Sequence, residues 1–368
     1  MKFLVSGAEL SNALSKVSKA LSAKTTNPIL EGIKLSCHGE NLTLTATDTE
    51  ITIEKTIPVF TYLEGETVVP GRFFTEFVKK LENEEEIEIY LDGDGILRIT
   101  YGGNEFKIQT MNAEEYPLIN KDIKEKFFTM KQKDFKDLIN KTVFACSQTA
   151  HNASRVDGCF ISLESNRISA VATDTGRIAI NKKDVENSSG DLSIIVMPRT
   201  LNEMVRILDG DEDLFTVVVQ QNVILCEVKG TVLISSLVEG RYIDYKNIIN
   251  PRFGTEIVIN RAAFLNSLER ASIVATDYNK IVKFDISENY VNVVAKSEIG
   301  DVSENVPVKL NGKDLEIAFF FKYVTDAIKA IDDEEISVCF NSPIEPCVIR
   351  PLEGDGFMHL IVPVRKNV

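Results

Sequence analysis

LTLTATDTEITI (residues 42–53) and ISAVATDTGRIAI (residues 168–180) share a core: Ala46-Thr47-Asp48-Thr49 returns as Ala172-Thr173-Asp174-Thr175, 126 residues later. Each stretch alternates apolar and small polar residues, breaks at the aspartate, and alternates again, the pattern of two strands around a turn. A weaker third copy, VNVVAKSEIGDV (residues 291–302), puts Ala295 in the place of Ala172, an offset of 123, and keeps only the alternation. A repeat of this length is the size of a domain, and the chain of 368 residues has room for three.

Helical periodicity sets the same register independently. Phe74, Phe77, Val78 and Leu81 fall at i, i+3, i+4 and i+7, one apolar stripe of a helix. Leu201, Met204, Val205 and Leu208 repeat that spacing, and so do Val324, Ala327, Ile328 and Ile331. An earlier helix in each repeat carries Leu10, Ala13, Leu14 and Val17, then Phe135, Leu138, Ile139 and Thr142, then more weakly Phe264, Ser267, Leu268 and Ala271. Short strand-like runs precede these earlier helices at residues 2–5, 127–130 and 256–259.

Each repeat therefore reads strand, helix, several strands, helix, several strands. Residues 87–103 make a hairpin around Asp92-Gly93-Asp94-Gly95, and residues 214–230 make one around Gln221-Asn222. The expectation is an α+β fold of three repeated domains, each with two helices packed on antiparallel sheets. Proline and polar residues interrupt the pattern near residues 117–124 and 250–255, which sets the domains at 1–121, 122–252 and 253–368.

An apolar content of 44% with 26% charged residues is the balance of a globular protein, and no apolar run approaches the length of a membrane span. The opening MKFLVSGAELSNALSKV breaks too early into polar residues for a signal peptide. The six cysteines, Cys37, Cys146, Cys159, Cys226, Cys339 and Cys347, form no CxxC pair and read as reduced core thiols of a cytoplasmic protein.

The net charge of −14 speaks against nucleic acid only if it is spread evenly. It is not. The three helical stretches 7–24, 71–81 and 131–141 each carry net +2, and 198–208, 260–272 and 319–331 each carry +1. With +9 on the helices, −23 rests on everything else. Lysines on one helix read as a solvated face, but six helices of one sign in an acidic chain suggest a basic surface inside an acidic body. Such a body suits a duplex held in a channel by topology, touched by weak phosphate contacts that permit sliding.

Five segments carry a family resemblance: NPILEGIKL (residues 27–35), MNAEEYP (111–117), ATDTGRIAI (172–180), LVEGRYIDY (237–245) and LIVPVR (360–365). In this order and spacing the chain resembles the beta subunit of bacterial DNA polymerase III, the sliding clamp. The resemblance implies two chains joined head to tail in a six-domain ring, the DNA clamp fold, with helices lining the hole. It implies a homodimer that encircles double-stranded DNA without sequence preference. The replicative polymerase, the clamp loader and repair proteins would be tethered through short linear motifs.

The resemblance also implies a peptide-binding cleft between the second and third domains. The matching positions are Val156, Thr173, Gly176, Arg177, Ile178, Ile243, Asn247, Ile248, Leu360, Val362, Pro363, Val364 and Arg365. Read without it, Val156, Ile178 and Ile248 are core positions. Gly176, Ile243 and Asn247 depart from the His, Pro and Arg common in the family. For DNA, Lys24 matches a family contact position, and Arg72, Lys79, Lys136, Lys141 and Arg199 lie on the helices expected to line the hole. For the dimer contact, the resemblance points to Phe106 and Ile108 of the first domain and Ile273 and Val274 of the third.

No catalytic pattern competes. The histidines make no HxxxH or HExxH, and no GxSxG, Walker or GxGxxG run occurs, so neither metal nor cofactor is expected. Asp48 and Asp174 could pose as paired carboxylates, yet they fall at equivalent strand ends of different repeats, where aspartate fixes turns. The other rival is a repeat scaffold that binds only proteins; retention on circular DNA separates it from a clamp.

Overall fold

The computed structural model describes residues 1–22, 25–117, 126–147, 158–174, 176–248, 252–275 and 280–364. The chain forms two compact units. The first holds Met1–Gln132, Glu186–Ser189 and Glu203–Leu237, and the second holds Lys133–Val185, Gly190–Asn202 and Val238–Val368.

All six helical stripes are helices: α1 (Gly7–Val17), α2 (Gly71–Lys79), α3 (Gln132–Asn140), α4 (Pro198–Ile207), α5 (Arg261–Val274) and α6 (Phe321–Lys329). The burial follows the stripe. Leu10, Ala13, Leu14 and Val17 of α1 are fully buried, as are Phe74 and Val78 of α2. Gly7 opens α1 because nothing larger fits there. A Cβ at that position would lie 1.9 Å from the Leu81 carbonyl oxygen, and the Gly7 amide donates to Glu84 O at 3.0 Å.

The first unit contains a five-stranded and a nine-stranded sheet. The smaller sheet runs Phe60–Leu63, Lys2–Val5, Ile87–Leu91, Ile96–Tyr101, Asn104–Gln109. The larger sheet crosses a repeat boundary: Thr231–Ser236 pairs antiparallel with Ile51–Pro58, Ser235 opposite Ile51. The second unit holds a twelve-stranded sheet, and it too crosses a repeat boundary, with Phe357–Ile361 pairing Arg177–Asp184 and Ile361 opposite Arg177. These seams are one seam used twice, because Ile51 and Ser235 shifted by the repeat of 126 become Arg177 and Ile361. Alternation within a repeat could not reveal them. Pairing satisfies two strand edges that would otherwise invite aggregation.

The helix-covered side of the twelve-stranded sheet buries Phe264, Leu268, Phe284, Phe319, Val324 and Ile328 in one cluster. Asp48 and Asp174 cap turns, as their positions suggested. Asp48 Oδ1 accepts from the amides of Glu50 (3.1 Å) and Ile51 (2.9 Å), and Asp174 Oδ1 accepts from those of Gly176 (2.8 Å) and Arg177 (3.1 Å). The repeat is also written in two tyrosines. Tyr116 Oη donates to Thr45 O at 3.2 Å, and Tyr242 Oη donates to Val171 O at 3.0 Å, each partner being 126 residues from its counterpart. All six cysteines are buried and free.

Candidate partner-binding groove

On the face of the twelve-stranded sheet away from its helices, Ile178, Leu360, Val348, Cys339, Val171, Ile180 and Tyr245 form one apolar cluster, with Phe160, Tyr242, Phe253 and Met358 packed on it. The strand register explains the floor. Ile178 lies opposite Leu360, Leu360 opposite Val348, Val348 opposite Cys339, and Cys339 opposite Glu256, a single row across five strands. Two expected groove residues, Ile178 and Leu360, are therefore floor and are nearly inaccessible.

Three others stand at the surface. Ile243, Ile248 and Val362 are each about two-fifths exposed or a little more (39%, 46% and 40%). Ile243 and Ile248 flank a 3-10 turn, Tyr245–Asn247, whose tyrosine is part of the floor: the Tyr245 amide donates to Ile243 O and the Ile248 amide to Tyr245 O. Asn247 is exposed, with Nδ2 donating to Asp244 Oδ2 at 2.6 Å. The terminal segment is anchored on both sides of Pro363. The Val362 amide donates to Gly176 O and the Val364 amide to Ala318 O, both at 2.8 Å. Pro363, which has no amide hydrogen to place, is buried between them.

Arg177 departs from the expectation of an available charged donor. Only 5% exposed, it gives Nε to Asp174 Oδ2 (3.0 Å), Nη1 to Asp326 Oδ2 (2.6 Å) and Nη2 to Phe144 O (2.8 Å). Its guanidinium also lies 4.6 Å from the Tyr323 ring centroid. A cation so far from water must be matched by charge and hydrogen bonds, and these matches tie Arg177 into the framework. Thr173 Oγ1 supports the same turn, donating to Arg177 O at 2.8 Å. At Gly176 a Cβ would come within 2.4 Å of Tyr323 Cε2, so the tyrosine occupies the volume a side chain would need. Val156 and Arg365 lie outside the described residues, as does Lys24.

His359, opposite Ala179 in the sheet, is 2% exposed, its ring 5.4 Å from that of Phe144 and 4.7 Å from that of Phe357. Burial first, and the Arg177 charge second, hold its pKa at about 3, so the imidazole is neutral.

The basic helices are less uniform than their charge count. Arg72 and Lys79 are exposed on α2, Arg72 donating to Ser22 O at 3.2 Å, and Arg199 is exposed on the first turn of α4. Lys136 is half-buried on α3. Lys141, just past α3, is clamped between Asp137 Oδ1 and Asp332 Oδ2, both at 2.6 Å. Burial works against its charge, but the hydrogen bonds it donates to Asp137 and Asp332 outweigh it and raise its pKa. Lys141 is thus an internal tie more than a presented cation.

Of the expected dimer residues, Ile273 is 76% exposed at the end of α5 and Val274 is half-buried. Phe106 stacks on Phe77 with ring centroids 4.0 Å apart, and Ile108 is buried within its own unit. Phe73, which sequence reading missed, is 53% exposed and its ring lies 5.8 Å from that of Phe106. Its signal was present: it occupies the position before the buried Phe74, off the apolar stripe.

No helix among the described residues is long and apolar enough to cross a membrane, and no group of three or more His, Cys, Asp or Glu among them is arranged to hold a metal ion.

The DNA polymerase III beta subunit matches the chain in three consecutive parts: its N-terminal domain over residues 1–120, its central domain over 129–244 and its C-terminal domain over 246–365. A beta sliding clamp of Halalkalibacterium halodurans is 35% identical over 367 residues, covering 96% of either chain. One from Staphylococcus epidermidis is 32% identical and covers 99% of both. The DNA polymerase sliding clamp of Bacillus subtilis has the same fold at a TM-score of 0.95 and 30% identity, covering all of this chain and 99% of its own. The DNA polymerase III beta subunit of Thermotoga maritima follows at 0.91 and 31%, covering 99% of each. By sequence over its whole length and by fold, the chain belongs to the DNA polymerase III beta subunit family.

Proposed function

We propose that this protein is a DNA sliding clamp, a non-enzymatic processivity factor of the cytoplasm built from domains 1–121, 122–252 and 253–368. Two copies close head to tail around duplex DNA. The groove floored by Ile178 and Leu360 takes short motifs of the replicative polymerase, the clamp loader and repair proteins.

The observation that carries the ring is the repeated seam. In both internal seams, the last strand of one repeat pairs with the strand that follows the aspartate turn of the repeat before it. The first repeat's last strand, Asn104–Gln109, is an edge of its sheet. The third repeat's counterpart is the first half of Gly300–Asn311. Among the described residues, that half pairs with Tyr290–Ser297, and pairing with Thr255–Asn260 begins only at Val308. One chain thus offers both halves of a third seam, which two copies would complete. Such a contact is heterologous and closes when its rotations complete a circle.

The basic helices supply the channel. Contacts directed at phosphates weaken as salt rises, whereas enclosure does not. After loading, the protein is expected to stay on nicked circular DNA in salt that strips it from linear DNA, and to leave when the circle is cut. Equal salt sensitivity on both DNAs would refute enclosure.

A further inference from the structure

The apolar row of the groove floor ends on a charged pair. Cys339 lies opposite Glu256, and Ser337, one row along, lies opposite Arg350. Glu256 Oε1 accepts from Ser337 Oγ at 2.5 Å, from Cys339 Sγ at 3.7 Å and from Arg350 Nη2 at 3.4 Å. Arg350 and Glu256 are each more than a third exposed, at 38% and 35%. The Arg350 guanidinium lies 5.9 Å from the ring centroid of Phe253, which packs against the apolar floor.

Other arginines of this chain engage carboxylates more fully. Arg98 bridges Asp92 and Glu105, and Arg177 bridges Asp174 and Asp326. Arg350 has five N–H donors and spends one of them, on Nη2, on a single long bond to Glu256; its Nε is buried and without a partner, so the Nη nitrogens are the ones left to meet a ligand. Arg350 meets its one carboxylate through a single nitrogen at 3.4 Å, whereas Arg167 grips Asp355 and Arg270 grips Glu304 with two nitrogens each, so its guanidinium is left to receive another. No basic side chain is needed to reach across the groove, because the fork itself matches a carboxylate in two places.

We propose that Arg350 is a specificity-determining residue of the groove, receiving a carboxylate of the partner peptide while the apolar floor holds the anchors. The inference rests on the groove being the partner site. Leu360 and Arg350 are separated by one strand spacing and two residues along a strand, about 8 Å. An extended peptide covers that in two or three residues, so the carboxylate belongs two or three positions from the anchor above Leu360.

The test uses the full-length protein and a labelled peptide from the replicative polymerase of the same cell. Asp and then Asn are placed in turn at each position flanking its apolar anchors, and every peptide is made with a free and with an amidated C-terminus. At one position the Asp peptide is expected to bind about tenfold more tightly than its Asn analogue, the size of one charge-assisted hydrogen bond. Arg350→Gln should erase that preference, so that the Asp and Asn peptides bind alike. Glu256→Gln, which removes the competing carboxylate, should enlarge it. A preference that follows the free terminus instead of the side chain identifies the terminal carboxylate as the group Arg350 receives.

Absence of any preference in the wild type, or its survival in a normally melting Arg350→Gln protein, overturns the proposal. If the parent peptide does not bind at all, the groove itself is misassigned and the inference falls with it.

Discussion

A single buried imidazole gives the most direct handle on this molecule. His359 is held neutral with a pKa of about 3, against an ordinary value of 6.5. Between those values the unfolded chain binds a proton that the folded chain does not, so this group makes stability rise with pH across that window and fall as pH drops below 6.5. The slope is about 1.4 kcal/mol per pH unit once the unfolded histidine is protonated. In His359→Phe, denaturant unfolding between pH 6.5 and 5, above most carboxylate titrations, should show a shallower loss of stability than the wild type. Parallel curves would mean that the imidazole takes up a proton in the folded state. The groove offers a second test. Val362→Ala with Pro363→Ala should weaken polymerase-peptide binding by on the order of 2 kcal/mol, roughly thirtyfold, without shifting the melting curve much. Unchanged affinity in the folded double variant would move the partner site elsewhere. Residues of this kind were only partly legible in the sequence. Ile178 and Leu360 sit where alternation puts them, but nothing local announced that Arg177 would be consumed by Asp174, Asp326 and Phe144, since two of those partners are distant in the chain.

At the scale of elements, all six helices were readable because each buries one stripe, and a period of 3.6 is a local property. The seams were not. They depend on which distant strand has a free edge and the right register, which alternation leaves open. Tyr116 and Tyr242 could have strengthened the repeat before any fold was known, since they too stand 126 residues apart. The helices also carry the test of the channel. Arg72 and Lys79 are exposed on α2, so reversing both to Glu changes a surface charge by four units in total while touching little packing. Loading onto circular DNA should fall severalfold while the melting temperature stays within a few degrees. A collapse in stability with normal loading would show that these cations serve the fold.

The proposed ring would close on strand edges left unpaired among the described residues. Ile273 is strongly exposed and Val274 half-buried at the end of α5, and the exposed Phe73 lies against the half-buried Phe106 of the edge strand Asn104–Gln109. Ile273→Arg with Val274→Arg would put unpaired charge into an apolar contact at a cost of several kcal/mol. Sedimentation of the double variant should therefore report monomers at concentrations where the wild type dimerises. A full-strength dimer would exclude α5 from the interface. The family-level reading of the sequence named Ile273 and Val274 for this contact. It could not tell that Ile108 would be buried in its own unit while Phe73 stood out.

The repeated seam also sets a schedule for synthesis. Ile51 meets Ser235, and Arg177 meets Ile361, so each strand waits 184 residues for its neighbour. At about 5–20 residues per second, the ribosome leaves each edge uncovered for roughly 9–37 seconds. During that interval the nascent chain leaves a strand edge without its partner, first Ile51–Pro58 and later Arg177–Asp184. Chains arrested before residue 231 should be captured by chaperones more strongly than chains arrested after residue 236, and equal capture would mean that something else shields the first edge.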